Sequence, residues 1–276
     1  MFWKKWIENA PDERPNDSDV AAWLPRLTAV SGYERQEAID MLGRLRAPAA
    51  LPGLVARVND WVPQVRDAAI RAVRGYLTDE HVDAWPAALP ALIRLVDARR
   101  ADHGPLLTEV SQFLADERRM PAVRAATRDA SRFVARWVAD LEWSCASDGE
   151  RQRAVLSDGI RSPDIVIAMA AVKRLPWMTD QDARQALTRT ACEARLPAVR
   201  AEALRQWLTL PVEATPMIEA KCFDRTSGVR MVALSALKRT GQPEAVIATA
   251  KAQLAAPFRA PHQGLPALAI VLALAY

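Results

Sequence analysis

Pro63-Gln-Val-Arg-Asp-Ala-Ala-Ile-Arg-Ala-Val73 has close copies elsewhere in the chain. They are Pro163-Asp-Ile-Val-Ile-Ala-Met-Ala-Ala-Val172, Pro197-Ala-Val-Arg-Ala-Glu-Ala-Leu-Arg-Gln-Trp207 and Ser227-Gly-Val-Arg-Met-Val-Ala-Leu-Ser-Ala-Leu237. Tyr33-Glu-Arg-Gln-Glu-Ala-Ile-Asp-Met-Leu42 is a looser one. Each opens near Pro or Gly, continues with Val-Arg or an apolar substitute, and then places Ala where two helices must approach closely. Pro suits a first helical turn, where its missing N–H had no partner to lose. Before each copy lies another amphipathic stretch, such as 49–58 or 180–194. Self-similarity at this spacing predicts stacked helix pairs, because one pair cannot bury both of its apolar faces alone.

Composition agrees. Half of the 276 residues are apolar and a quarter charged, with ten Gly, which excludes wholesale disorder. Ala, Leu and Arg dominate, and these lose little entropy in a helix. The nineteen Pro fall mainly between the apolar stretches, as at Pro48, Pro121 and Pro163.

The repeated segments resemble the second helices of HEAT repeats, over residues 19–276. The resemblance implies an all-α fold: a right-handed superhelical α-solenoid of antiparallel helix pairs, about seven of them at ~35–45 residues each. It implies one solenoid domain after an apolar, basic and then polar segment at 1–18. It also implies that an Asp closing a first helix meets the Arg opening the second, which suggests the pairs Asp60–Arg66 and Asp224–Arg230. Arg200 holds the matching position with its partner left open.

The register is clear before about Leu77 and after about Ser162, and irregular over 84–160. Residues 84–100 read as a first helix with Leu89, Leu92, Ile93 and Val96 on one stripe, and 104–115 as its partner. Residues 121–142 read as one long helix and 148–160 as another first helix, an odd count that implies an inserted or orphaned helix. At about 100° per residue, Val123, Ala130, Phe133, Val134, Trp137 and Leu141 share one side of the long helix. Arg124, Arg128, Arg132 and Arg136 share the other, a ladder of ~18 Å. Arg118 and Arg119 extend it. The ladder is either a solvated face neutralised by neighbours or a surface for phosphates or an acidic protein, since Arg pairs bidentately with both.

Both ends are apolar. Phe2, Trp3, Trp6 and Ile7 fall on one helical side, opposite Lys4 and Lys5, and are expected to pack onto the first repeat. The stretch from Gly264 to Tyr276 carries no charge, and Leu268, Leu272 and Tyr276 are a candidate partner or self-association face. Nine Trp at helical spacing are expected to fill the core.

The net charge of +4 and pI near 9.2 are only mildly basic. Three separated cysteines and three isolated histidines give no metal-ligand spacing, and buried thiols in a reducing compartment are expected. No phosphate-binding loop, dinucleotide fingerprint, nucleophile elbow or zinc-protease motif occurs, and Asp79-Glu80 falls in an expected turn. The prediction is a cytoplasmic, bacterial, non-enzymatic scaffold or adaptor without cofactor or metal, holding a protein partner. The alternative is nucleic-acid binding through the Arg-rich face. Some alkyl-base DNA glycosylases and the phycobilin lyases also contain HEAT-like repeats, but no stretch here aligns with the glycosylase active-site motif.

Overall fold

A computed structural model describes residues 17–240, 243–255 and 264–274. The apolar positions of the N-terminal segment, and Tyr276, lie outside the described residues. Those described are helices and turns, without strands, and no helix is long and apolar enough to cross a membrane. The chain divides into two compact units at 145/146, inside the irregular middle.

The first unit carries α1 (Asp17–Trp23), α2 (Gly32–Leu45), α3 (Leu51–Arg57), α4 (Pro63–Arg74), α5 (Trp85–Arg94), α6 (Gly104–Leu114), α7 (Met120–Ala126) and α8 (Arg132–Cys145). The second carries α9 (Gly149–Arg161), α10 (Ile165–Arg174), α11 (Gln181–Cys192), α12 (Pro197–Trp207), α13 (Thr215–Cys222), α14 (Ser227–Thr240), α15 (Glu244–Ala255) and α16 (Leu265–Leu274). Within each unit successive helices pair, α6 excepted, and helices of one kind stack on one another: α3 on α5, α2 on α4, α10 on α12 and α12 on α14. Each unit is therefore an α-solenoid stack.

Local chemistry sets the boundaries. Asp148, Asp164 and Asp180 accept hydrogen bonds from the first free backbone N–H groups of α9, α10 and α11 at 2.8–2.9 Å. Pro63 and Pro197 open α4 and α12. Small residues allow close crossings: a Cβ on Gly43 would lie 2.9 Å from that of Ala72, and one on Gly159 2.7 Å from that of Ala171. In the first unit the core runs from Ile39 and Leu42 through Leu54, Val55 and Val73 to Trp85, Leu89 and Leu114, all fully buried.

The long helix expected over 121–142 is two helices. It breaks at 127–131, where the Thr127 hydroxyl donates to the carbonyl of Val123 at 2.7 Å and the Ala130 N–H to that of Thr127 at 3.0 Å. The Ser131 carbonyl then accepts the first bond of α8, from the Ala135 N–H at 3.0 Å. Thr, Asp and Ser offer the backbone such local alternatives, so a cluster of them ends a helix even where the apolar period continues. The break makes the helix count even; α7 pairs with α8 and both pack on α5, while α6 makes no close helix pairing and is the helix left outside the register. The break resets the phase as well, leaving Ala130 exposed and Phe133 55% exposed rather than on the buried side. Val96, expected on the buried stripe of α5, lies beyond its end and is exposed, with Leu95 buried instead.

Candidate interaction surfaces

Two of the second helices, α2 and α12, share one device. Arg35 donates through Nη1 to the carbonyls of Ala29 and Val30 at 2.8 and 2.9 Å, fixing the turn before its own helix. Its Nε and Nη2 then fork the carboxylate of Asp60, in the following repeat, at 2.9 Å each. Arg200 does the same in the second unit, from the carbonyls of Ala194 and Arg195 to Asp224 at 2.9 Å twice, and adds Thr226 Oγ1 at 3.1 Å. Burial pushes the carboxyls of Asp60 and Asp224 upward. The bidentate arginine, a backbone N–H (from Val62 or Thr226) and nearby cations (Arg35 and Arg57, or Arg200 and Lys221) more than offset this, so both sit below the usual range.

The expected pairs Asp60–Arg66 and Asp224–Arg230 are therefore corrected. Arg66 and Arg230 reach only the main-chain carbonyls of those aspartates, at 3.0 and 2.8 Å, while each carboxylate belongs to the arginine one repeat earlier. Arg200, whose partner the repeat pattern left open, holds Asp224.

The Arg35–Asp60 rung fixes the turn edge of the first unit, where three large apolar side chains face solvent. Val30 is 96%, Tyr33 89% and Trp61 67% exposed. The two turns that carry them meet: the Arg35 guanidinium that bonds the Val30 carbonyl lies 5.3 Å from the Trp61 ring centroid, and Gly32 abuts Val62. The third turn joins the same edge, since Arg100 donates to the Asn59 carbonyl at 3.1 Å and His103 Nε2 lies 3.2 Å from Asn59 Oδ1. Trp61 and Trp177 stand exposed, whereas Trp85 and Trp207 are the core fillers expected.

Beyond this edge α6 stands off from α4, in contrast to the close packing of α2 on α4. A cleft of about 380 Å³ opens there, lined by Asp67, Arg71, Asp102 and His103 over Ile70 and Leu106. Arg74 crosses it to fork Glu109 at 2.8 and 2.7 Å. His103 is buried, its Nδ1 has no hydrogen-bond partner, and burial followed by the charge of Arg66 depresses its pKa.

The expected arginine ladder is divided. Arg124 lies on α7 and pairs with Glu142 on α8 at 3.1 Å, and Arg128 sits in the turn. Arg132 and Arg136 remain four residues apart on α8, with guanidiniums 5.1 and 6.0 Å from the ring centroid of Phe133. Arg119, expected to extend the ladder, is structural: it bonds Asp79 and the Phe113 carbonyl at 2.7 Å each and lies 4.2 Å from the Phe113 ring centroid. Arg118 pairs with Asp116.

On α16 the side chains of Leu265, Leu268 and Leu272 are exposed, while Ala267 and Ile270 are buried against α14 and α15. Cys192 and Cys222 are buried, their thiols pushed up to about 12 by desolvation. Cys145 is half-buried, and all three are free thiols. Among the described residues no cluster of His, Cys, Asp and Glu could hold a metal ion.

No protein-family model matches the chain, and no curated protein does. Solved structures similar to it include an engineered protein from a structural-genomics effort, at 18% identity and TM-score 0.30. That match covers 80% of this chain and 95% of the other. A designed armadillo repeat protein is similar at 16% identity and TM-score 0.30, over 79% of this chain and 98% of the other. Both superpositions are loose, and the fold rests on the helix pairing itself.

Proposed function

We propose that this chain is a HEAT-like, non-enzymatic scaffold or adaptor that holds a protein partner on the turn edge of its first unit. The observation that carries this reading is the trio Val30, Tyr33 and Trp61, exposed on turns that the buried Arg35–Asp60 rung holds in place. Exposed aromatic side chains on a rigid frame bury large area on binding with little entropy to lose, and such patches mark interaction sites. A tagged full-length chain should retain a defined protein on pull-down and mass spectrometry, and the double variant Tyr33→Glu, Trp61→Glu should lose it while keeping its helical circular dichroism. Equal recovery by the double variant contradicts the placement.

A second reading, nucleic-acid binding, is supported by Arg128, Arg132 and Arg136 beside the exposed ring of Phe133, a combination of phosphate-pairing cations and a stacking face. Binding of this kind weakens steeply with salt. Electrophoretic shift of single-stranded and duplex DNA at two salt concentrations tests it, with loss expected in Arg128→Glu, Arg132→Glu. Absence of a low-salt shift excludes it. The exposed leucines of α16 support self-association in addition, through Leu268 and Leu272.

A further inference from the structure

The rung is incomplete at Arg66. Counted from the residue that precedes each second helix, the arginine stands four residues on and the aspartate of the following turn two residues back. Arg35 with Asp60 and Arg200 with Asp224 obey this. Elsewhere the two positions vary: Ala168 and Ala194 hold both in the second unit, Leu107 stands before Asp129 in the first, and the counterpart of Arg230 lies outside the described residues. The repeat after the Arg35–Asp60 rung has the arginine without the aspartate. Arg66 holds the arginine's position, and Ala101 holds the aspartate's.

Arg66 is nonetheless oriented like the others. Its Nη1 donates to the carbonyls of Asp60 and Trp61 at 3.0 and 3.4 Å, the bonds that Arg35 makes to Ala29 and Val30. The same Nε–Nη2 edge therefore faces the third turn, where no carboxylate of the described residues comes within 4 Å of it. His103 stands there instead, buried, with Nδ1 unpartnered and close enough for the Arg66 charge to act on it. Asp102, the carboxylate nearest in sequence, is engaged with the Gly104 N–H at 2.9 Å. The open rung adjoins the cleft between α4 and α6, whose lining begins at the next residue, Asp67, and Arg66 bonds the carbonyl of the exposed Trp61.

We propose that Arg66 receives one carboxylate from the partner protein: an Asp or Glu side chain next to a large apolar residue that seats on Trp61. This rests on the protein-binding reading above and names the chemistry of its ligand. A single carboxylate completes a rung whose geometry the chain already builds twice. The cleft beside it mixes Asp67 and Asp102 with Arg71 and an Arg74 engaged by Glu109, so it offers a run of phosphates no continuous positive track.

The probe is a random twelve-residue peptide library displayed on phage and selected on the full chain, followed by calorimetry of the enriched peptides. Enrichment of Asp or Glu beside an aromatic or aliphatic residue is expected, with binding at least tenfold weaker for the Asp→Asn or Glu→Gln peptide and for Arg66→Gln. Arg66→Gln also removes the bonds to the turn, so a second variant keeps the arginine. Ala101→Asp supplies the missing carboxylate from within, and should raise the melting temperature while weakening the peptide at least tenfold. Peptides that bind wild type, Arg66→Gln and Ala101→Asp equally overturn the open rung but leave the scaffold reading standing. Selection of no peptide overturns both. Enrichment of basic peptides, or displacement of an acidic one by oligo-dT of twelve nucleotides, overturns the assignment of the ligand.

Discussion

Asp60 and Arg35 are almost wholly buried, so each depends on the other for compensation of its charge. Replacing both by apolar residues of matching shape can be neutral, whereas removing one leaves a buried charge alone, at a cost of about 3–5 kcal/mol. Asp60→Ala is therefore expected to lower unfolding free energy by about that amount in urea titration, and Asp224→Ala to act alike in the second unit. The same pairs set the acid limb. Both carboxyls are depressed below their unfolded value of 3.8, so the stability they contribute is complete above that pH and is lost as pH falls through their lower folded values. His103 acts earlier: its pKa lies below 6.5, so the unfolded chain takes up its proton first and stability begins to fall below pH 6.5. Melting temperature against pH should decline in two stages, and His103→Gln should flatten the upper one.

Helix boundaries were legible where chemistry and period agree, as at Pro63, Pro197 and the copies of Val-Arg. They were misread where the apolar period ran through a local stop. From Val123 to Leu141 the spacing satisfies one helix, but Thr127 and Ser131 supply competing hydrogen bonds, and no count of apolar positions registers them. The rungs were half legible. The aspartate and arginine could be recognised as a structural set, but the partnership spans 24 or 25 residues and depends on how repeats stack, which spacing within one turn does not encode. The exposed trio at the turn edge was hidden for the same reason: Trp61 is spaced like a core residue, and only the fold places it outside. At this scale Gly159→Ala decides between two effects. Helix propensity favours Ala by about 1 kcal/mol, but the added Cβ would meet that of Ala171 at 2.7 Å across α9 and α10. Overpacking costs about 1–3 kcal/mol, and α10 must shift to relieve the contact, so net destabilisation is expected in thermal melts.

At the scale of the molecule, each unit is a stack in which neighbouring repeats hold one another, and interaction surfaces lie where that mutual burial stops. One such place is α16, whose outer leucines carry no charge beside them. Light scattering of wild type and Leu272→Glu is expected to show association in the first and its loss in the second, with a monomer in both contradicting that use of α16. The central claim concerns the turn edge of the first unit. Its most direct test is a photo-crosslinking amino acid placed at position 61, and separately at exposed Glu150, in the source cells of the protein. The account predicts a discrete protein adduct from position 61, absent from position 150 and abolished by Tyr33→Glu in the same chain. A nucleic-acid adduct, or no adduct at position 61 when the folded protein is present at natural abundance, contradicts it.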